Sequence, residues 1–79
     1  MRVRVRFFAA LRERMGAGGD RSVRAGITVA ALWEDLVAGR PELDAMPVRF
    51  AVNERYVDPS HRLADGDELA VFPPVSGGA

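Results

Sequence analysis

Only one stretch of this sequence has both the length and the spacing to make a helix that covers a sheet. Val29, Leu32, Trp33, Leu36 and Val37 follow the i, i+3, i+4, i+7, i+8 pattern of a single buried stripe, with Glu34 and Asp35 turned to water. Thr28 is a suitable N-cap, because its hydroxyl can accept from a first-turn amide. The helix is expected to stop at Gly39-Arg40-Pro41: glycine tolerates the left-handed cap, and proline disfavours helical geometry in the residue before it. Most of the remaining apolar residues alternate with period two. Val3, Val5 and Phe7 oppose Arg2, Arg4, Arg6 and Phe8; Val48, Phe50 and Val52 lead through Asn53-Glu54 into a short return over 55–57. After an Asp65-Gly66-Asp67 turn, Leu69 and Val71 alternate with Ala70 and Phe72, until Pro73-Pro74 ends the strand. Phe8, Leu11 and Met15 predict a short helix over 9–15, Gly16 to Asp20 reads as a flexible loop, and a further strand is expected around 21–25.

The chain has 79 residues, which allows one domain, with a globule over about 1–72 and a tail over 73–79. At this size roughly 60% of the unfolded surface can be buried, so an enclosed active site is not expected. Four or five strands and one main helix make a two-layer α+β domain, with the helix on one face of a mixed sheet. The ubiquitin-like β-grasp is the small solution with that order, followed here by a flexible C-terminal tail. The expected core is Val3, Val5, Phe7, Val29, Leu32, Trp33, Leu36, Phe50, Leu69 and Val71. Phe8, Ala70 and Phe72 fall on the uncovered face, where clustering would make a partner-binding surface.

Composition narrows the chemistry. There is no Cys and a single His, His61, so disulfides, thiolate nucleophiles and Cys- or His-rich metal sites are excluded, and no metal site is expected. All eleven basic residues are Arg, and eleven acids balance them to zero net charge. That removes lysine chemistry and argues against non-specific nucleic-acid binding. The longest uninterrupted apolar run, 69–75, is far short of the ~20 residues that span a bilayer, and no signal peptide is visible, so a cytoplasmic protein without membrane contact is expected. Chemistry then falls to a partner, or to the backbone and its terminus.

Three segments carry a family resemblance: Phe7-Phe8-Ala9-Ala10-Leu11-Arg12-Glu13, Ala51-Val52-Asn53, and the run from Leu63-Ala64-Asp65-Gly66-Asp67-Glu68 through Phe72-Pro73-Pro74-Val75-Ser76-Gly77-Gly78. They resemble the small subunits of molybdopterin synthase, over nearly the whole chain, and the last segment is the most specific. The resemblance implies a β-grasp sulfur carrier in molybdenum cofactor biosynthesis, not catalytic alone, that binds no cofactor itself. It implies that an ATP-using activating enzyme adenylates the terminal carboxylate of Gly78, beside Gly77, and converts it to a thiocarboxylate. The large synthase subunit would then receive the tail and pass the sulfur to cyclic pyranopterin monophosphate, in a heterotetramer of two small and two large subunits. Phe8, Phe72, Pro73, Pro74, Val75 and Ser76 would contact the partner. The family ends at Gly-Gly, whereas Ala79 follows Gly78 here: either a tail-trimming protease removes it, or it is a cloning remnant, or this copy works differently or not at all.

Other readings stand beside these. A related carrier could serve thiamine thiazole or another thio-cofactor, a ubiquitin-like modifier could join its terminus to lysines, and a retained Ala79 would leave a binding module. His61 reads as a loop residue, since no nucleophile or carboxylate cluster accompanies it. Asp65 and Asp67 shape the Gly66 turn, with no third oxygen ligand for calcium. The Arg2, Arg4, Arg6 row reads as a solvated strand face, with pairing to an acidic partner as the alternative.

Overall fold

The computed structural model describes residues 1–74. Along the chain lie β1 (Arg2–Phe7), α1 (Ala9–Met15), β2 (Gly18–Ser22), α2 (Val29–Leu36), α3 (Pro41–Asp44), β3 (Arg49–Val52), β4 (Arg55–Tyr56) and β5 (Glu68–Phe72). The strands form one mixed sheet in the order β2-β1-β5-β3-β4. β1 and β5 run parallel at its centre, and the other neighbours are antiparallel.

The period-two alternation becomes two faces. Val3, Val5 and Phe7 from β1, Phe50 and Val52 from β3, and Leu69 and Val71 from β5 are buried together with Val29, Leu32, Trp33 and Val37. Trp33 meets Phe50 edge-on, with ring centroids 6.3 Å apart. Thr28 caps α2 as expected, its Oγ1 accepting from the Ala31 amide at 3.1 Å. Leu36, assigned to the core from its spacing, is only partly buried, because α2 ends there; the chain leaves the helix three residues before Gly39. Those residues turn into α3, which starts on Pro41 and buries Leu43. Proline supplies the helical φ at a position whose amide has no intrahelical acceptor in any case. Leu11, Ile27, Leu43 and Leu63 complete the core.

The second strand departs from the sequence reading. It covers Gly18–Ser22 rather than 21–25, so much of the expected loop is a paired edge strand, with Gly18 opposite Arg6 and Gly19 opposite Val5. The glycines there serve close approach. A Cβ on Gly18 would overlap the Val5 carbonyl oxygen, and its φ of 106° lies where side chains are rarely accommodated. Gly18→Ala is therefore expected to destabilise the fold by at least ~1 kcal/mol through strain and a displaced edge. Denaturant melts superimposing on wild type would overturn that assignment.

The β3–β4 hairpin turns on Asn53 and Glu54, both at positive φ (51° and 71°), as two-residue hairpin turns of this hand require. Among the described residues no helix is long and apolar enough to cross a membrane.

Candidate functional site

The helices pack on one face of the sheet, and the opposite face is open. Strand register decides what stands there. One row runs Arg6, Ala70, Ala51 and Tyr56 across β1, β5, β3 and β4, and the next pairs Phe72 of β5 with Arg49 of β3. The two alanines leave a low floor. Beside it Tyr56, 75% exposed, leans on the half-buried Phe72 ring, with centroids 5.7 Å apart and planes at 58°. Phe72, Pro74 and Tyr56 border an open cleft of about 700 Å³ whose walls also include Arg49, Asp58 and His61.

Phe8 lies at the same end of the sheet, since Phe7 pairs with Val71 and the Phe8 amide donates to the Val71 carbonyl at 3.2 Å. Its ring does not line the cleft. It is 38% exposed and carries the Arg6 guanidinium 5.3 Å from its centroid. Ala9, immediately after it, turns the chain into α1 at φ 55°, a strained conformation for alanine. The open face thus has two aromatic positions, Phe8 with Arg6 and Phe72 with Tyr56. The sequence reading missed Tyr56, although a two-residue turn at Asn53-Glu54 already places it opposite Ala51.

β5 is held in register at its start. Arg4 donates its amide to the Asp67 carbonyl at 2.9 Å, and the Asp67 carboxylate accepts from the Ala64 amide at 2.8 Å and from Asn53 Nδ2 at 2.9 Å. Asn53 Oδ1 in turn accepts from the Glu68 amide at 3.0 Å. Asp65 accepts from the Arg2 amide at 2.8 Å, so both aspartates shape the Gly66 turn as read from sequence. Asn53 thereby ties the hairpin turn to the start of β5, a role its sequence position alone did not disclose. From there the strand runs through Leu69 and Val71, both fully buried, and delivers Phe72, Pro73 and Pro74 to the sheet end. Val75, Ser76, Gly77, Gly78 and Ala79 lie outside the described residues. His61 belongs to the loop after β4, its amide bonded to the Asp58 carbonyl and its carbonyl to the Val29 amide. No group of three or more potential metal-ligating side chains occurs among the described residues.

A five-stranded mixed sheet in this order, with helices on one face and a central last strand, defines the class: a ubiquitin-like β-grasp domain. The chain belongs to the ThiS family, whose model matches residues 5–78. It is 38% identical to the molybdopterin synthase sulfur carrier subunit of Escherichia coli (strain K12), over 96% of this chain and 99% of that protein. It is 36% identical to the subunit of the same name from Chlamydomonas reinhardtii, over 99% and 100%. Among solved structures, a Pyrococcus furiosus protein assigned as molybdopterin converting factor subunit 1 superposes with a TM-score of 0.82 at 30% identity, over 95% of this chain and 99% of that one. Small archaeal modifier protein 1 of Haloferax volcanii gives 0.78 at 27%, over 94% and 98%. A complex of subunits 1 and 2 of the molybdopterin-converting factor from Helicobacter pylori gives 0.59 at 25%, over 99% and 100%.

Proposed function

We propose that this chain is the sulfur-carrier subunit of a molybdopterin synthase. The observation that carries the reading is full-length identity of 36–38% to subunits of that name, together with a central strand that ends at Phe72 and continues in sequence through Pro73-Pro74 to Gly77-Gly78. The family match itself runs to Gly78. A carboxylate is a poor acyl donor until its oxygen becomes a good leaving group. Attack of the Gly78 carboxylate on the α-phosphorus of ATP releases pyrophosphate and gives an acyl-adenylate, and a hydrosulfide-level sulfur nucleophile then attacks its carbonyl carbon and expels AMP to leave the thiocarboxylate. The adenylating site belongs to the activating enzyme, and this chain holds no cofactor. Without side chains, Gly77 and Gly78 let the backbone approach a nucleotide or pterin closely. Six residues from Pro73 to Gly78 reach ~20 Å when extended, enough to enter a site on another protein.

The recipient of that sulfur is the large synthase subunit, which would deliver it to cyclic pyranopterin monophosphate within a heterotetramer of two small and two large chains. The Helicobacter pylori complex of subunits 1 and 2 supports such a partner. Ordering tail glycines costs roughly 1–2 kcal/mol each, so docking needs anchor area on the globule. In this reading Phe72, with Pro73, Pro74, Val75 and Ser76, is the principal contact, and Phe8 adds to it. Phe72→Ala is expected to weaken binding to the large subunit by more than ~1 kcal/mol in calorimetry while the thermal melt stays cooperative. Unchanged affinity would move the interface elsewhere.

A second reading is favoured by the likeness to the Haloferax volcanii modifier protein: joining of the same activated glycine to target lysines. Isopeptide-linked remnants of this tail on other proteins, with no affinity for a large synthase subunit, would establish it instead.

A further inference from the structure

Zero net charge conceals an uneven distribution over the surface. On the helix side the acids of α2 and α3 are balanced in part, with Arg24 4.0 Å from Asp35 and Arg40 beside Glu34 and Asp44. The open sheet face presents Arg2, Arg4, Arg6 and Arg49 against Asp20 and Glu68. Both acids are already engaged, Asp20 with Arg4 at 3.2 Å and Glu68 with Arg6 at 3.9 Å. Among the described residues no carboxylate comes within 4.0 Å of Arg49, and Asp58 in the same cleft forms no ion pair with it. Arg49 therefore offers an uncommitted guanidinium directly beside Phe72, at the mouth of the cleft that borders the root of the tail.

We infer that the surface receiving this face is acidic, and that a partner Asp or Glu side chain enters the cleft to meet Arg49 as the tail is taken up. The inference rests on the carrier reading and names the chemistry of the partner at the same site. Single exposed ion pairs contribute little to affinity. An unbalanced cationic face has a different effect: it steers encounter, raising the association rate in a salt-dependent way, and it rejects partners whose rim is basic. The aromatic pair would govern how long the complex lasts, and the arginines how fast and with which partner it forms.

The test is the association rate of the full chain with the large synthase subunit at about 50 mM and about 500 mM salt, where screening lengths differ severalfold. The wild-type rate is expected to fall by about tenfold with added salt, and Arg49→Glu to slow association at low salt by about fivefold or more and flatten the salt dependence. Arg49→Lys should stay within about twofold of wild type, as should Arg21→Glu, which makes the same charge change on the strand face turned away from the site. Thermal melts of each variant check the fold, and the wild-type salt profile remains decisive if Arg49→Glu does not fold. A salt-independent wild-type rate, or equal slowing by Arg21→Glu and Arg49→Glu, overturns the acidic-partner inference and leaves the carrier reading intact. No association at either salt overturns both.

Discussion

A chain ending at Gly78 is expected to gain about 16 Da when incubated with the activating enzyme, ATP and a sulfur donor, as sulfur replaces one carboxylate oxygen, and a chain ending at Ala79 to gain nothing. In the longer form the Gly78 carbonyl is locked in an amide, which cannot attack ATP as a carboxylate does. Were Ala79 accepted in its place, the reacting carbon would sit ~3.3 Å farther along the tail and carry a methyl group beside it, in a site where position within ångströms decides rate. If only the shorter form is converted, removal of Ala79 must precede activation. Intact-mass spectra with equal conversion of both forms, and fragments placing sulfur on Ala79, would abolish the need for trimming. Failure of both forms would withdraw the sulfur-carrier chemistry and leave the β-grasp fold.

Leu32→Ala should lower stability by roughly 2–5 kcal/mol in denaturant melts, the range for truncating a buried leucine that leaves a cavity. Leu32 is 2% exposed, on the α2 stripe that covers the sheet. Small domains have only ~5–15 kcal/mol in total, so the variant should be partly unfolded well below the wild-type midpoint. A change under about 0.5 kcal/mol would mean that the stripe tolerates collapse around position 32, and that α2 is not what holds the layers together.

The parts of the fold legible in the sequence were those with a strong period. β1, β3, β5 and α2 each alternate or repeat apolar residues clearly enough to assign both element and face, and Thr28 and the Asn53-Glu54 turn mark their ends. A strand here was expected, but the bounds of β2 were not legible because its residues, Gly-Gly-Asp-Arg-Ser, are all exposed and carry no apolar period. The pairing is imposed by β1, and glycine, which usually signals a loop, is there because a backbone lies against it. α3 is too short for a helical period, and only Pro41 followed by buried Leu43 hints at it. For the site, the tail motif and Phe72 could be read locally, whereas Tyr56 and Arg49 join Phe72 only through strand register, a long-range property. Asn53 is the same kind of case: its partners, Asp67 and Glu68, lie 14 and 15 residues away.

The placement of β5 also has a mechanical consequence. A pull on the chain beyond Phe72 would act along the axis of a strand hydrogen-bonded on both sides, to β1 in parallel and to β3 antiparallel. The tension is shared as shear across two ladders at once, so hydrogen bonds must fail together instead of peeling one by one as they would from an edge. Resistance to such a pull depends on the barrier to unfolding rather than on equilibrium stability alone. In the proposed carrier role the globule would act as a stiff handle for its terminus, and a variant that loosens the β1–β5 ladder would yield to a pull even where its resting melt looks normal.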